Sequence, residues 1–387
     1  MRTVVSPPSD HMRSDVRDDD LAALRRDVRA FLSSAVFTPR CDSWMRGLDR
    51  TFTASVAAQG WIGMTWPRQY GGGGRSNLAR LAVTEELLRA GAPVAAHWTA
   101  DRQIGPVILR HGTERLRQEF LPAICRGEVV VCLGLSETEA GSDLAAVRTR
   151  AVPVPGGWSI TGAKIWTTTA HLATHAYVLA RTGPADARHE GLTEFLVDID
   201  TPGITIRPIL DLVGEHHFNE VFLADVFVPE GRVLGTVGEG WKQVTEQLAF
   251  ERGGPERYLS TYPLLAALVG AVRRRPDRAA TEQLGALTGR LAGLRALSTT
   301  LAAAIDAGRA PTREAAALKV LGTQFEKDVV EVGRYVLDVT GALEDPAIAA
   351  LLSDAVTAVP AGSIRGGATD VLRTVLGRAE RTGGTRR

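Results

Sequence analysis

The order in which helix-like and strand-like patterns follow one another constrains the fold of this chain more than any other feature. In residues 18–130, apolar residues recur at steps of three and four, the period of an α-helix. Residues 131–240 contain short segments rich in Val, Ile, Phe and Thr between turns such as "PGG" and "TPG", which is typical of antiparallel strands. The helical period returns in residues 241–387. Strands and helices do not alternate, so nothing favours a doubly wound sheet. The sequence predicts an α+β protein of three domains at these boundaries, after a disordered segment at 1–17.

The composition is that of an ordinary globular protein, with 387 residues, 44% hydrophobic and 23% charged. A net charge of +1 predicts no basic surface for nucleic acid. Cys41, Cys125 and Cys132 are odd in number and lack metal-ligand spacing, which favours free thiols in a reducing compartment. The N-terminal residues do not read as a signal peptide, and no apolar run approaches the length of a membrane span. We therefore expect a cytoplasmic protein that binds neither nucleic acid nor membrane.

Two conspicuous motifs have ordinary explanations. The run "GGGG" at 71–74 lacks the spacing of a phosphate-binding loop, and no strand–loop–helix unit surrounds it, so we predict a turn. His216 and His217 are adjacent, so in an extended segment they point to opposite faces. The sequence shows no Cys or Asp cluster that matches them, and we predict no metal site.

Two segments within the predicted β domain carry the functional signal. The first, "GLSETEAGSDLAA" at 134–146, follows a predicted strand, and loops after strands are where rigid scaffolds present binding groups. Taken alone, it could equally be an ordinary polar turn. The second, "TGAKIWTTTA" at 161–170, follows in the same domain. Together the two segments resemble the acyl-CoA dehydrogenase family, in which such segments hold FAD against the acyl chain of the substrate.

The resemblance covers residues 20–378, nearly the whole chain. "GWIGMTWPRQYGG" resembles the helix junction of the family's N-terminal domain, "ADVFVPEGRVLG" its passage out of the β domain, and "SIRGGATDVLRTVLGR" its closing helix. The resemblance implies an N-terminal helical domain, a middle antiparallel domain like a β-barrel, and a C-terminal four-helix bundle. It also implies FAD-dependent α,β-dehydrogenation of an acyl thioester.

The resemblance assigns flavin contacts to residues of both segments. Ser136 would offer its hydroxyl and backbone, Trp166 would pack on the isoalloxazine, and Thr168 would hydrogen-bond its redox-active edge. The alternative for Trp166 is a plain core aromatic. Further flavin contacts are implied for Leu133, Leu135, Thr167, Gly367 and Asp370. Substrate contacts are implied for Ser142, on the pantetheine side, and for Phe250 and Arg252.

The reaction needs a base for the α-proton, hydrogen-bond donors for the developing enolate oxygen, and a flavin whose N5 takes the β-hydride. Most of the family carries the base in a closing Tyr–Glu–Gly–Thr turn, but Gly366 occupies the Glu position here. Members resembling the isovaleryl-CoA and long-chain dehydrogenases carry the base on the first C-terminal helix, just before an arginine. The residue at that place is Glu251. The resemblance thus implies that Glu251 is the base and that the Gly366 backbone N–H donates to the enolate.

The local pattern around Glu251 is compatible with that role. Trp241, Val244 and Leu248 share one face of a predicted helix, and Glu251 and Arg252 lie at the edges of the same face. A carboxylate on such a half-apolar face would be desolvated, which raises its pKa and makes it a stronger base. The alternative is a structural ion pair between Glu251 and Arg252 at a helix end.

Partners and rival functions follow from the same resemblance. The family implies a homo-oligomer, a dimer or tetramer, that passes electrons to an electron-transfer flavoprotein. Its FAD-binding Arg–x–x–Phe segment is not evident near "RRRPDRAATEQLGAL", and some members form mixed complexes. Three alternatives stay open: a dehydrogenase of a carrier-protein-tethered acyl group, a flavin monooxygenase or nitro-compound oxidase, and a flavin-poor partner subunit of a heteromeric dehydrogenase. The intact Glu251 and the Ala–Gly–Ser–Asp turn weigh against the second.

Overall fold

The computed structural model describes most of the chain. The predicted disordered segment, 1–17, lies outside the described residues. None of the helices that the structure describes combines the length and apolar character that a membrane span requires. The described residues are 18–184, 186–251 and 253–383, with their side chains except at 18–19, 247–251 and 378–383.

The N-terminal third is helical. Ser76 and Thr113 cap two of its helices, because each side-chain oxygen accepts a backbone N–H of the first turn. A π-helical turn, Ala100–Ile104, joins two others. The α-helices are α1 Asp18–Ser34, α2 Ser43–Arg46, α3 Arg50–Ala58, α4 Asn77–Arg89, α5 Ala95–Thr99, α6 Gly105–His111 and α7 Glu114–Cys125.

The glycine run forms a tight turn packed on Trp66. The Gly74 N–H donates to the Trp66 carbonyl oxygen at 2.9 Å, and the Gly73 N–H donates to the Gly63 carbonyl oxygen at 3.1 Å. A Cβ atom at Gly72 would lie 2.4 Å from the Trp66 carbonyl oxygen, so no side chain fits there. The run is therefore explained by packing of this turn.

A sheet occupies the middle of the chain. Its strands are β1 Val131–Gly134, β2 Arg150–Val154, β3 Gly157–Lys164, β4 His175–Arg181, β5 Leu192–Asp198, β6 Ile204–Leu210, β7 His216–Pro229 and β8 Val233–Leu234. They follow the order β6-β7-β3-β2-β4-β5-β8, and β1 pairs with β4. Most neighbours are antiparallel, but β1 and β2 pair with β4 in parallel, which the antiparallel pattern did not predict. Parallel pairing needs a long connection, and the chain supplies one between β1 and β4.

Helices return after the sheet and form a bundle. The helices are α8 Gly240–Glu251, α9 Glu256–Leu259, α10 Tyr262–Arg274, α11 Arg278–Asp306, α12 Thr312–Thr340, α13 Pro346–Gly362 and α14 Thr369–Gly383. The central helix, α12, packs against α10, α11, α13 and α14 through one fully buried stripe of Leu318, Phe325, Val329 and Val336. Burial of each such side chain contributes about 1.5–3 kcal/mol. The order of helical, sheet and helical regions confirms the predicted fold class.

Candidate active site

One buried lysine joins the two motif segments. Lys164 ends β3, and its side chain has no exposed surface. Its ammonium group donates to Glu137 Oε1 at 2.8 Å and to the carbonyl oxygens of Leu135, at 3.3 Å, and Leu179, at 2.7 Å. The loop after β1 and the end of β3 are therefore held together by an ion pair inside the protein.

The partners of Lys164 and Glu137 determine their charge. Burial lowers the pKa of Lys164 to about 8, although the Glu137 carboxylate opposes this. Burial would raise the pKa of Glu137, but the Lys164 ammonium outweighs it and holds that pKa below its usual range. The backbone N–H groups of Arg148 and Thr149 also donate to Glu137, at 2.7 and 2.9 Å. These hydrogen bonds keep Glu137 ionised beside Lys164.

Trp166 lies at the surface next to the first segment. The Ile165 N–H donates to the Ser136 carbonyl oxygen at 2.9 Å, which sets Ser136 and Trp166 side by side. Trp166 is 56% exposed, and its φ of 57° is uncommon for a residue with a side chain. Its ring meets Phe218 edge-on at 5.7 Å between centroids. Trp166 is therefore not a core aromatic but an exposed ring held in one orientation.

Thr167 is buried immediately behind Trp166. Its N–H donates to the Asn219 carbonyl oxygen at 3.0 Å, and its carbonyl oxygen accepts from Asn219 Nδ2 at 2.9 Å. The Thr167 hydroxyl is buried and has no hydrogen-bond partner among the described residues. Such an orphaned group usually marks a missing ligand or water. Thr168 is half-buried beside it.

Asn219 is a site residue that the sequence did not single out. Its Oδ1 accepts from His216 Nε2 at 2.7 Å and from His171 Nδ1 at 3.1 Å. The two imidazole rings stack with centroids 3.8 Å apart. Asn219 thereby fixes the backbone of Thr167 and orients two rings. The available signal was an Asn within a strand, where that residue type is depleted.

The histidine pair does have acidic neighbours, which the sequence reading missed. Asp211, Glu215 and His217 bring ligand atoms within 4.8 Å of one another. Arg46 donates to Asp211 Oδ2 and to Glu215 Oε2, both at 2.8 Å, and Arg40 donates to Glu215 Oε1 at 2.8 Å. The two carboxylates are therefore neutralised by guanidinium groups, and the cluster is explained as an ion-pair network.

The turn at Gly366 explains why the usual glutamate is absent from it. Gly366 and Gly367 have φ of 66° and 99°, a region that favours glycine. A Cβ atom at Gly366 would lie 2.6 Å from Arg257 Nη1. The buried Arg257 guanidinium lies over the Trp44 ring, 5.3 Å from its centroid, and 3.3 Å from Glu256 Oε1. A side chain at position 366 would therefore have to displace the Arg257 guanidinium from its contacts with Trp44 and Glu256.

More buried charges surround this turn. Arg365 makes a bidentate ion pair with Asp42 and lies 4.8 Å over the Trp44 ring. Glu326 accepts a hydrogen bond from the Ser260 N–H at 2.8 Å. Burial raises the pKa of Glu326 to about 7, and the Asp42 carboxylate adds to this effect. The helical side of the site is thus a closed network of charges.

The predicted base lies at the end of α8. Val244 is buried, and Gln243 Nε2 donates to Glu194 Oε2 and to the Leu234 carbonyl oxygen, both at 3.0 Å, which anchors the helix on the sheet. Glu251 is the last residue of α8. The side chains predicted at this end, those of Phe250, Glu251 and Arg252, lie outside the part that the structure describes.

The remaining predicted contacts are spread along the chain. Leu133 and Leu135 are half-buried at the end of β1, and Ser142 is exposed in the turn that follows. Gly367 lies in the turn between α13 and α14. Asp370 begins α14, where it is 92% exposed and pairs with Arg373 at 3.2 Å.

A basic cleft of about 520 Å³ lies beside Ser142. Arg148 and Arg150 line it with exposed side chains. Arg181 also lines it but is occupied by backbone carbonyl oxygens, including that of Ala145 at 2.7 Å. Arg188 pairs with Asp143 at 2.9 Å. The cleft can receive an anionic group through the first two arginines.

The residues around Trp166 fit the FAD that the motifs imply. An exposed indole offers a flat apolar face, and the Thr167 hydroxyl is an unsatisfied polar group directly behind it. Ser136 and Thr168 add hydroxyl groups at the same edge of the sheet. A planar heteroaromatic ring with polar edges is complementary to this set of groups.

Comparison with known proteins gives consistent matches along the whole chain. Family models match residues 18–128 ("Acyl-CoA dehydrogenase, N-terminal domain"), 132–226 ("Acyl-CoA dehydrogenase, middle domain") and 238–380 ("Acyl-CoA dehydrogenase, C-terminal domain"). Acyl-CoA dehydrogenase FadE34 of Mycobacterium tuberculosis is 34% identical over 92% of this chain and 48% of that protein. FadE26 of the same organism is 27% identical over 97% of both chains. The chain spans about half the length of FadE34 and of the three curated relatives that follow it.

Solved structures share the fold. A structure described as "Tcur3481-Tcur3483 steroid ACAD" superimposes with a TM-score of 0.84 at 27% identity, over 96% of this chain and 99% of that one. The "ChsE4-ChsE5 complex from Mycobacterium tuberculosis" superimposes with a TM-score of 0.82 at 26% identity, over 97% of this chain and 100% of that one.

Proposed function

Because the chain belongs to the acyl-CoA dehydrogenase family, we propose that it catalyses the FAD-dependent α,β-dehydrogenation of an acyl thioester. The observation that carries the proposal is the Lys164 junction. It holds Ser136 beside the exposed, conformationally fixed Trp166. This arrangement supports a flavin-binding edge because it combines a flat apolar ring with hydroxyl and backbone groups.

FAD, when bound, supplies the acceptor for the hydride that leaves the β-carbon. Trp166 would cover its ring, and Ser136, Thr167 and Thr168 would hydrogen-bond its polar edges. Asn219 holds the Thr167 backbone in place through two hydrogen bonds, so it acts as a positioning residue for this edge. Leu133 and Leu135 would complete the apolar border.

We assign the base to Glu251. The Arg257 guanidinium occupies the space in which a side chain at Gly366 would begin, which leaves the turn without a carboxylate. The Gly366 N–H would remain as a donor to the enolate oxygen. Two other acids are worse placed: Glu256 is buried beside Arg257, and Asp370 is exposed and pairs with Arg373. The end of α8 therefore remains the place from which a base would act.

We propose CoA as the carrier of the acyl group. CoA and acyl-carrier proteins present the same pantetheine arm, so Ser142 would contact either. The cleft beside Ser142 favours CoA, because Arg148 and Arg150 can bind phosphate groups there. Matched acyl-CoA and acyl-pantetheine substrates test this choice. Arg148→Ala should weaken binding of the CoA thioester and leave that of the pantetheine thioester unchanged.

We also propose a cytoplasmic oligomer that passes electrons to an electron-transfer flavoprotein. Cys41, Cys125 and Cys132 are free thiols, which suits a reducing compartment. The descriptions of two similar structures each name a pair of proteins, which supports a mixed complex as an alternative to a homo-oligomer. Light scattering gives the size of the purified chain, and flavin absorbance gives its FAD content. A chain that takes up no added FAD would be a partner subunit.

Anaerobic mixing of the FAD-loaded protein with a panel of acyl-CoA thioesters tests the reaction itself. We expect bleaching of the flavin absorbance with at least one of them. Glu251→Gln should slow bleaching by about 10²- to 10⁴-fold, the usual contribution of a general base, without changing flavin content. Glu246→Gln, on the same helix, is the matched control. Bleaching by Glu251→Gln at the wild-type rate would show that another carboxylate is the base.

A further inference from the structure

A small cavity lies just beyond the end of α8. It has a volume of about 70 Å³ and opens between α4, the π-helical turn and α11. Gly253 and Gly254 form part of its wall, and Gly253 is two residues from Glu251. Two residues of chain span at most about 7 Å, so the cavity wall begins within that distance of the Glu251 backbone. An acyl chain that reacts beside Glu251 can extend into it.

The cavity is polar on one side. Leu301 and Ile305 of α11 form an apolar wall, while Arg80 of α4 and Arg102 and Gln103 of the π-helical turn form the opposite wall. A pocket that binds only a hydrocarbon chain does not need two guanidinium groups and an amide in its wall. The composition of this wall therefore needs its own explanation.

One polar atom of this wall has no protein partner. Gln103 is 5% exposed, and its Oε1 is buried without a hydrogen bond to any described residue. Arg80 is half-buried, and the carboxylates of Asp101, Asp306 and Glu256 attract its charge. Arg102 lies 2.9 Å from Asp101 and also donates to the Thr84 hydroxyl. An unsatisfied buried acceptor is unfavourable, so a ligand that donates a hydrogen bond to Gln103 Oε1 is expected.

The backbone that presents Gln103 is itself unusual. A π-helical turn adds one residue to each hydrogen-bonded loop of a helix, and such turns are frequent at functional sites. Here the turn is fixed from outside, because Asp101 Oδ1 accepts the Gly63 N–H at 2.9 Å. The turn therefore places Arg102 and Gln103 at the cavity wall in a conformation that the rest of the fold maintains.

We propose that this cavity binds a hydroxyl group at the far end of the acyl chain, through Arg80 and Gln103. The proposal rests on the dehydrogenase function proposed above and names its substrate class: acyl thioesters whose tail ends in a hydroxyl. The Arg80 guanidinium donates to the hydroxyl oxygen, and the hydroxyl donates its proton to Gln103 Oε1, which a carboxylate or a carbonyl group cannot do. A hydrocarbon tail of equal length leaves Gln103 Oε1 without a hydrogen bond and binds more weakly.

Binding to the FAD-loaded Glu251→Gln protein separates this proposal from the proposed reaction, because binding needs no turnover. Calorimetry compares straight-chain acyl-CoA thioesters with ω-carboxy, ω-keto and ω-hydroxy thioesters of the same length. We expect the ω-hydroxy series to bind about tenfold more tightly than the hydrocarbon series, and more tightly than the ω-keto and ω-carboxy series. Binding of any series without a hydroxyl as tightly as the ω-hydroxy series at every length would overturn the proposal, whether or not the wild-type flavin bleaches.

Arg80→Met tests the assigned donor. It should reduce the preference for the ω-hydroxy tail about tenfold, while Arg75→Met, at an exposed arginine outside the cavity, should keep the wild-type preference. A preference that survives in Arg80→Met would place the oxygen elsewhere. If Arg80→Met folds poorly, Gln103→Met provides the second measurement, with the same direction expected and the same result overturning the proposal.

Discussion

The site has a sheet side, where Lys164 joins the two motif segments, and a helical side, the turn at Gly366. On the sheet side, the contacts lie within one stretch of chain, because Lys164 reaches Leu135 and Glu137 after β1 and Leu179 in β4. Around Gly366, by contrast, Arg365 is a neighbour in sequence, but Asp42, Arg257 and Glu326 come from three separate parts of the chain. The first arrangement leaves an open, prepared surface, and the second leaves no room for a side chain.

The largest expected effect is on the sheet side. Lys164→Met leaves the Glu137 carboxylate buried without its counter-ion, and breaking one half of a buried pair costs about 3–5 kcal/mol. We expect that loss in the free energy of unfolding, measured by denaturant titration, together with loss of bound FAD. Lys242→Met, at an exposed lysine, should change stability by less than about 0.5 kcal/mol. Equal stability of the two variants would mean that the junction does not hold the segments together.

On the helical side, the free energy of unfolding should depend on pH through Glu326. The raised pKa of Glu326, about 7, means that the folded state favours the protonated carboxyl. Its contribution to stability is complete below the pKa of the unfolded chain, about 4.3, and is lost as pH rises through 7. The difference between the two pKa values corresponds to roughly 4 kcal/mol of stability.

Glu326→Gln removes this titration. We expect the stability of the variant relative to the wild type to rise between pH 4.5 and 8, measured by chemical unfolding at each pH. Glu314→Gln, near the start of the same helix, serves as the control. A relative stability independent of pH would show that Glu326 is ionised in the folded protein throughout.

A comparison of two glycines separates the cost of the left-handed backbone from the cost of crowding at the Gly366 turn. Gly308 and Gly366 have similar φ, 72° and 66°, but a Cβ atom at Gly308 meets open space, whereas one at Gly366 meets Arg257. Alanine at either position costs about 1–2 kcal/mol for the left-handed backbone. We expect Gly366→Ala to lose about 1–3 kcal/mol more than Gly308→Ala, because Arg257 must move. Equal losses in thermal unfolding would show that Arg257 yields freely.

The same contrast explains what the sequence could predict. The Ser136 and Trp166 segments are local motifs, so a resemblance read from the sequence alone could assign both to one flavin site, and that assignment stays a prediction. The absence of a glutamate at Gly366 was also visible, but its cause was not. Arg257 reaches that turn only through the packing of α9 against α12, and no spacing in the sequence encodes that contact.

Two further features depend on long-range packing in the same way. Asn219 lies 52 residues from Thr167, yet its side chain and backbone fix the position of that threonine. Arg80 of α4 and Gln103 of the π-helical turn are far apart in sequence, yet both line the same small cavity. Propensity predicts a helix there, but not that extra residue in the turn.

The smallest expected effect is at Thr167 and bears on the prepared surface itself. Valine has the shape of threonine without its hydroxyl, and that hydroxyl is buried without a partner among the described residues. Thr167→Val should therefore leave the flavin-free protein as stable as the wild type, or more stable by up to about 1 kcal/mol, because an unsatisfied group is removed. If FAD makes a hydrogen bond to the Thr167 hydroxyl, the same variant should bind FAD about five- to tenfold more weakly, since that hydrogen bond is lost. Fluorescence titration of the flavin measures this affinity, and Thr169→Val, whose hydroxyl already donates to the Thr168 carbonyl oxygen, is the matched control. Unchanged FAD affinity in Thr167→Val would mean that Trp166 and the backbone alone bind the flavin on the sheet side. The sheet side and the helical side would then differ only in how exposed they are to solvent.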